Sequence, residues 1–213
     1  MPFQPILPTW LAINACNDTS ASGMTDLRTG APVNAGGLNQ GDYFDLTNEE
    51  ANNASYKTNG ILYSGRYRRV QVDSGATASN VKTGTIGLMP SLAVVGVNPL
   101  GTKNPPMNIV TSWDQSIGGV VRPVVFLNSI TPGNFGFVQE LGVANVLGKA
   151  SLTAAAPAIG DLIIGGTSGL VDDPTQSTAL TYALEANIIG KAIDLPKANG
   201  LFRTLLNLPT VQG

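Results

Sequence analysis

Arg66, Arg68 and Arg69 form a basic cluster that is interleaved with two aromatic residues, Tyr63 and Tyr67. Side chains on a β-strand alternate between its two faces, so Arg66 and Arg68 would share one face while Arg69 lies on the other. Nucleic-acid binding would need further clusters of basic residues elsewhere in the sequence. No other such cluster occurs, and the net charge is −2. The cluster therefore predicts either charge pairing across a protein interface or a solvated strand edge.

Acidic residues could perform acid–base hydrolysis if two carboxyl groups flanked a scissile bond. Asp172 and Asp173 are instead neighbours in an apparent turn, and the glutamates at 49–50 fall in a predicted first helical turn. A distant pair such as Asp114 with Glu140 stays open from the sequence. Because turn and capping roles account for the neighbours and no EF-hand spacing occurs, we predict neither catalytic carboxylates nor a metal site.

Two Gly-Lys pairs, Gly148-Lys149 and Gly190-Lys191, could suggest a phosphate-binding loop. Such a loop needs a glycine five residues before the Gly-Lys pair and Ser or Thr after it, and alanine follows the lysine in both cases. The segments around the pairs, 144–150 and 186–192, are similar to each other. We therefore predict exposed strand lysines, and glycines that mark bulges or close backbone approach.

The composition excludes several kinds of active site. The 213 residues include no histidine and one cysteine, Cys16. Ser-His-Asp and Cys-His catalysis, His-ligated metals and cysteine-cluster sites are therefore excluded, as are intramolecular disulfides. Cys16 has no basic neighbour that would activate its thiol. We expect a structural or binding protein rather than an enzyme, with no cofactor.

Charge and hydropathy narrow the expected partners and location. Only 12% of the residues are charged, against about 25% in an ordinary soluble domain. No window approaches 18 uninterrupted apolar residues, and the first 17 residues lack the basic start of a signal peptide. We therefore expect no nucleic acid and no membrane among its partners, and synthesis in a host cytoplasm.

Short segments rich in Val, Ile, Leu or Phe, bounded by turn-forming residues, recur after residue 60 and predict β-strands. They cover 61–63, 67–72, 85–97, 109–113, 120–127, 135–147, 162–164, 188–195 and 201–208. The segment near 175–186, which follows a helix-start pattern at 173–176, fits a short helix or a strand, and we prefer the strand. The series predicts a mainly β fold, a β-sandwich or a small β-barrel over 60–213, with a candidate subdivision near residue 115.

Residues 1–59 predict a long, extended, loop-rich N-terminal arm. Large apolar side chains are sparse over 13–59, and prolines recur every three residues before that stretch, which favours an extended conformation. The candidate contact residues of the arm are Pro2, Phe3, Pro5, Ile6, Leu7, Pro8, Trp10 and Leu11. An extended segment cannot bury such side chains against itself. It would pack on its own domain or, as we favour, on a neighbouring subunit.

The C-terminal half contains an ordered series of strands and glycines. Its segments are FVQELGVANVL at 137–147, AIGDLI at 158–163, IGKAI at 189–193 and GLFRTLLNL at 200–208. Over residues 118–208 this pattern resembles the small β-barrel of capsid decoration (cement) proteins from tailed bacteriophages. The resemblance implies a protein that binds the outside of an icosahedral shell, often as a trimer, and bridges neighbouring capsomers. The long N-terminal segment departs from the short arms common in that family.

The expected function is that of a virion structural protein that decorates and stabilises an icosahedral capsid from its outer surface. Its expected partners are the major capsid protein and further copies of itself, in a homotrimer. The alternative is a glycan- or receptor-binding module of a phage head or tail fibre, or an adhesin. That module would expose Tyr63, Tyr67 or Trp113 in a groove, although Trp113 is more simply explained as a core residue at a strand end.

Overall fold

The protein is built mainly from β-strands. The computed structural model describes residues 43–48, 63–89, 109–113, 122–127, 129–153, 158–172 and 188–206. The strands of these residues are β1 (Tyr43–Leu46), β2 (Gly65–Val72), β3 (Ile86–Met89), β4 (Ile109–Ser112), β5 (Arg122–Phe126), β6 (Phe135–Leu147), β7 (Leu162–Gly165), β8 (Val171–Asp172), β9 (Ile188–Ala192) and β10 (Leu201–Leu206). Short 3-10 turns occupy Ala78–Asn80, Ala150–Thr153 and Thr167–Gly169.

Five strands close into a barrel. β2, β4, β3, β5 and β6 are neighbours in that order, and β6 also pairs with β2. β2 and β4 are parallel, and the other neighbours in the barrel are antiparallel. Every strand contributes apolar side chains to the interior, namely Val70, Val72, Met89, Val110, Val124, Phe126 and Val138. β1 extends the sheet beyond the barrel by pairing antiparallel with β2.

A second sheet continues from the barrel through β6, in the order β6, β10, β9, β7 and β8. Its neighbouring strands are antiparallel. An isolated bridge between Gly148 and Val171 brings β8 back to the end of β6, where the Lys149 backbone N–H donates to the Val171 carbonyl at 2.9 Å. The second sheet is therefore almost closed as well.

The two sheets share β6, which is 13 residues long. Its first half pairs with β2 and β5, and its second half, from Gly142 onward, pairs with β10. A bulge separates the halves, because Tyr67 pairs with Gln139 but Arg66 pairs with Leu141, which leaves Glu140 as the extra residue. Gly142 has a φ of +90°, and a Cβ there would collide with the carbonyl of Ser64. Glycine therefore allows the close backbone approach at this crossing.

A second core fills the space between the second sheet and the outer wall of the barrel. Ile86, Leu88 and Val125 point outward from β3 and β5, opposite in alternation to the barrel interior. They join residues of the second sheet that include Phe202. Trp113, directly after β4, is also buried in this core, which confirms the prediction of a core residue at a strand end.

The strands predicted from the sequence agree well with the structure. The segment 135–147 coincides with β6, and strands occupy part or most of the other predicted segments that the structure describes, except 61–63, whose one described residue, Tyr63, lies outside any strand. One correction concerns the polar region before residue 60, since Tyr43–Leu46 forms a strand where irregular structure was predicted. The candidate subdivision near residue 115 falls between β4 and β5, which both belong to the same barrel. The segments 1–11 and 173–186 lie outside the described residues.

Candidate interaction surface

The alternation predicted for the arginine cluster is confirmed by the pairing of β2. Arg68 pairs with Val138, whose side chain lies in the barrel interior, and Arg66 shares the face of Arg68. Arg69 points the opposite way and pairs with Phe137. The predicted solvated edge is wrong, because β2 lies between β1 and the strands β4 and β6. An internal strand leaves no free edge for charged side chains to protect.

Arg66 forms a bidentate ion pair with Asp45, the residue opposite it on β1. The Arg66 Nε and Nη2 atoms donate to Oδ1 and Oδ2 of Asp45 at 2.8 and 3.0 Å. The hydrogen bonds from the guanidinium lower the pKa of Asp45 below its ordinary value. The counter-ion of Arg66 is thus supplied within the chain, by a strand that the sequence did not predict.

Tyr43 lies on the same face of β1 as Asp45 and presents its ring to both arginines. The guanidinium carbons of Arg66 and Arg68 lie 4.6 and 5.5 Å from the ring centroid. These distances fall within the range of cation–π contacts. Tyr43 remains 54% exposed, so the ring is held in place but is open to a partner.

Arg68 pairs with Glu140 at one end of the barrel. Its Nε donates to Oε1 of Glu140 and its Nη2 donates to Oε2 at 3.3 Å. The Glu140 side chain is fully buried and that of Arg68 is 19% exposed. We call the residues Tyr43, Asp45, Arg66, Arg68 and Glu140 the arginine–tyrosine ladder. Both arginines of this surface have carboxylate partners.

The opposite face of β2 is buried. Arg69 is 8% exposed, and its guanidinium carbon lies 5.2 Å from the centroid of the Phe135 ring. Tyr67 is fully buried; its hydroxyl donates to the Tyr63 carbonyl at 2.5 Å, and burial raises its pKa far above the ordinary value. Since Tyr67 and Trp113 are both buried, they cannot line the exposed groove predicted for a glycan-binding module.

Three large aliphatic side chains are exposed around one end of β9. Ile159, Leu195 and Leu205 are 67%, 60% and 46% exposed. Leu205 pairs with Lys191 across β10 and β9, and the turn after Ile159 donates a backbone hydrogen bond to the carbonyl of Ala192 at 2.8 Å. Leu195 lies three residues after the end of β9 in the sequence. We call Ile159, Leu195 and Leu205 the β9-end patch.

The sequence did not single out this patch, although one signal was available. Leu205 and Leu206 are consecutive in a predicted strand, and alternation places one of two consecutive residues on each face. Leu206 is buried in the second core, so Leu205 points outward. A pair of adjacent leucines in a one-sided strand therefore indicates an exposed apolar side chain.

The other carboxylates singled out from the sequence also serve ion pairs where the structure describes them. Asp172 accepts a hydrogen bond from the ammonium group of Lys149 at 2.9 Å. Lys149 is therefore half-buried rather than the exposed strand lysine that was predicted. Lys191 is exposed, as predicted. Glu140 pairs with Arg68. Residues 49–50, 114 and 173 lie outside the described residues. Near the β9-end patch, Arg203 binds Asp194, and its hydrogen bond lowers the pKa of Asp194.

The glycines of the two Gly-Lys pairs behave as predicted. A Cβ at Gly148 would collide with the carbonyl of Lys197, and one at Gly190 would collide with the carbonyl of Leu205. Both positions therefore mark close approach of two backbones. In the described part of the chain, no three acidic or cysteine side chains gather as a metal site would require. A helix long and apolar enough to span a bilayer is likewise not found there.

Comparisons with known proteins yield one structural similarity. No protein-family model matches the sequence, and no curated protein sequence matches it. Among solved structures, the chain is similar to the N base of the head fiber gp8.5 of bacteriophage phi29, with a TM-score of 0.39 and 12% identity. The similarity covers 66% of this chain and 92% of that chain.

Proposed function

We propose that this protein is a bacteriophage virion protein that decorates and stabilises an icosahedral capsid by bridging neighbouring subunits of the major capsid protein. The observation that carries the proposal is the β9-end patch. Three aliphatic side chains that are 46–67% exposed lie around the end of β9, on a chain of low charge. Exposed apolar side chains in one region of a surface are typical of sites that bind another protein.

The arginine–tyrosine ladder offers a second surface of suitable chemistry. Tyr and Arg are enriched in protein interfaces, where their planar groups give large contact areas. Burying an unpaired charge in an interface is costly. Arg66 and Arg68 already have carboxylate partners within the chain, so a partner could cover them without having to supply a counter-ion.

Bridging requires two separate contact surfaces, and the ladder and the β9-end patch are our candidates for them. The ladder belongs to β1, β2 and the bulge of β6, whereas the β9-end patch belongs to β9, β10 and the turn before β7. In this proposal, each surface contacts a different neighbour on the outside of the capsid. The arm residues 1–11 and assembly into a homotrimer would add further contacts, because linking several weak sites raises the overall affinity.

The copy number of this chain in purified particles tests the proposal. A decoration protein should be present in numbers comparable to the capsid protein, and stripping it should lower the temperature at which the shell ruptures. Re-addition of the purified chain should restore that temperature, and Leu205→Asp should restore it less well than the control Thr167→Asp, which places the same charge at an exposed turn after β7. A few copies per particle, clustered at one site, would contradict decoration and favour a fibre or tail component.

A further inference from the structure

An open pocket of about 360 Å³ lies at the opposite end of the barrel from Glu140. It lies between the 3-10 turn at Ala78–Asn80 and the loop that joins β5 to β6. The residues that define its chemistry are Ser79, Val81, Lys82, Ser129, Ile130 and Thr131. None of them belongs to the ladder or to the β9-end patch.

The walls of this pocket are held in place by buried hydrogen bonds. The hydroxyl of Thr85, which is fully buried, lies 2.7 Å from the carbonyls of both Asn80 and Lys82 and accepts from the Lys82 backbone N–H at 3.1 Å. The backbone N–H of Ile130 donates to the Val81 carbonyl at 3.4 Å, which ties the two walls together. The pocket is therefore formed before any ligand arrives, and binding needs little further ordering of the loop.

The chemistry of the pocket favours an anion with a short apolar stem. Lys82 is exposed at the pocket and forms no ion pair with any residue that the structure describes. Hydroxyls of Ser129 and Thr131 supply neutral donors, while Val81 and Ile130 supply apolar surface. A single ammonium group suits a singly charged carboxylate, and the apolar surface suits the methylene groups that carry it.

We infer that this pocket binds the carboxylate of an Asp or Glu side chain on a partner protein, with Lys82 as its counter-ion. The inference rests on the proposed function, in which the partner is a capsid subunit. The ammonium group would pair with the carboxylate, and the hydroxyls would hydrogen-bond to its remaining lone pairs. The pocket would thus fix the orientation of the chain on the capsid surface as well as adding affinity.

Binding of Lys82 variants to capsid shells that lack this protein tests the inference. Lys82→Met removes the charge at similar length, and Lys149→Met is the matched control because Lys149 lies beside β8, outside the pocket, the ladder and the β9-end patch. Losing one charge-assisted contact should weaken binding by about tenfold for Lys82→Met, and a reversed charge in Lys82→Glu should weaken it further. The control should bind within about twofold of the wild type, since its lysine lies outside all three proposed contact sites and forms an intramolecular ion pair of small energy.

A titration with N-acetylglutamate amide, followed by amide chemical shifts, keeps the inference separate from the proposed function. The shifts of Ser79, Ser129 and Thr131 should move in the wild type and stay unmoved in Lys82→Met. If the wild type fails to bind shells but the titration responds, the function falls and the pocket stands. If Lys82→Met binds shells as the wild type does, the inference is overturned. Inorganic phosphate saturating the pocket at lower concentration than the probe would overturn the carboxylate assignment.

Discussion

The barrel and the second sheet enclose their cores in different ways, although both use β6. The barrel is closed by strand pairing on all sides, and its core is made by its own five strands and the loops that join them. The second sheet is almost closed by the single bridge between Gly148 and Val171, and its core includes Ile86, Leu88 and Val125 from the outer wall of the barrel. The second sheet should therefore depend on the barrel more than the barrel depends on it.

The crossing of β6 from one sheet to the other should be the most sensitive position. Gly142→Ala would combine an unfavourable φ of +90° with a collision against the Ser64 carbonyl, so we expect a loss of more than about 4 kcal/mol of stability. Gly133→Ala is the matched control, because Gly133 has the same φ with open space around its Cα. It should cost only about 1 kcal/mol. Equal losses in urea unfolding would show that the close approach at Gly142 is unimportant.

The dependence between the two sheets can be tested by deleting one core side chain in each. Phe202→Ala in the second core should cost about 4 kcal/mol, and Val138→Ala in the barrel about 2 kcal/mol. Hydrogen exchange is the measurement. Phe202→Ala should lower protection in β7 and β9 and largely spare β3 and β5, because the barrel retains its own core.

Val138→Ala serves as the reciprocal arm of this experiment. It should lower protection in both sheets, since the second core is partly built on the barrel wall. If Phe202→Ala lowers protection equally in β3, β5, β7 and β9, the two sheets form one cooperative unit and the proposed asymmetry is wrong.

The strands could be predicted from the sequence because their signals are local. Each runs from one turn-forming residue to the next, and the 135–147 segment matched β6 at both ends. The closure of the barrel is not a local property. It depends on the bulge at Glu140 and on the conformation of Gly142, which are set by pairing with β2, more than 70 positions earlier in the sequence.

The arginine cluster likewise has local properties that could be predicted from the sequence and long-range properties that could not. The faces of Arg66, Arg68 and Arg69 follow from alternation along one strand and were predicted correctly. Their partners were not, because Asp45 comes from a short strand in a polar region and Glu140 lies 72 positions from Arg68. Residue type and local spacing thus identified the candidate surface, while its charge balance is decided by the register of distant strands.

The buried ion pair at the barrel end should matter more than any pair at the surface. Glu140→Gln leaves the partly buried Arg68 without its full counter-ion, and we expect a loss of about 3 kcal/mol. Thermal unfolding of the purified chain measures it. Lys149→Met, which removes the partner of Asp172 beside the second sheet, is the comparison and should cost about 1 kcal/mol or less because that lysine is 35% exposed. Equal losses would contradict a special role for the barrel end.

The second core contains a polar atom that should be replaceable. The hydroxyl of Thr204 is buried and has no hydrogen-bond partner among the residues that the structure describes, and Thr204 lies opposite Ala144 and Ala192. Thr204→Val removes the unsatisfied group at nearly constant volume, so we expect stability to rise by about 1 kcal/mol. Thr204→Ser keeps the hydroxyl and removes a methyl group, and it should destabilise the protein. A loss of stability in Thr204→Val would mean that the hydroxyl has a partner in solution.

The exposed ion pairs of the two sheets should have the smallest effects and should resemble each other. Arg66 lowers the pKa of Asp45, and Arg203 lowers that of Asp194, from the ordinary 3.8. Each pair therefore stabilises the fold above that pH and loses its contribution as the pH falls through the lowered pKa. Asp45→Asn should cost about 0.5 kcal/mol at pH 7, since the side chain is 55% exposed, and should cost less near pH 3. Asp194→Asn should change stability with the same sign and pH dependence. A large effect of only one substitution would show that one sheet relies on its surface charge, and salt titration of that variant would confirm it.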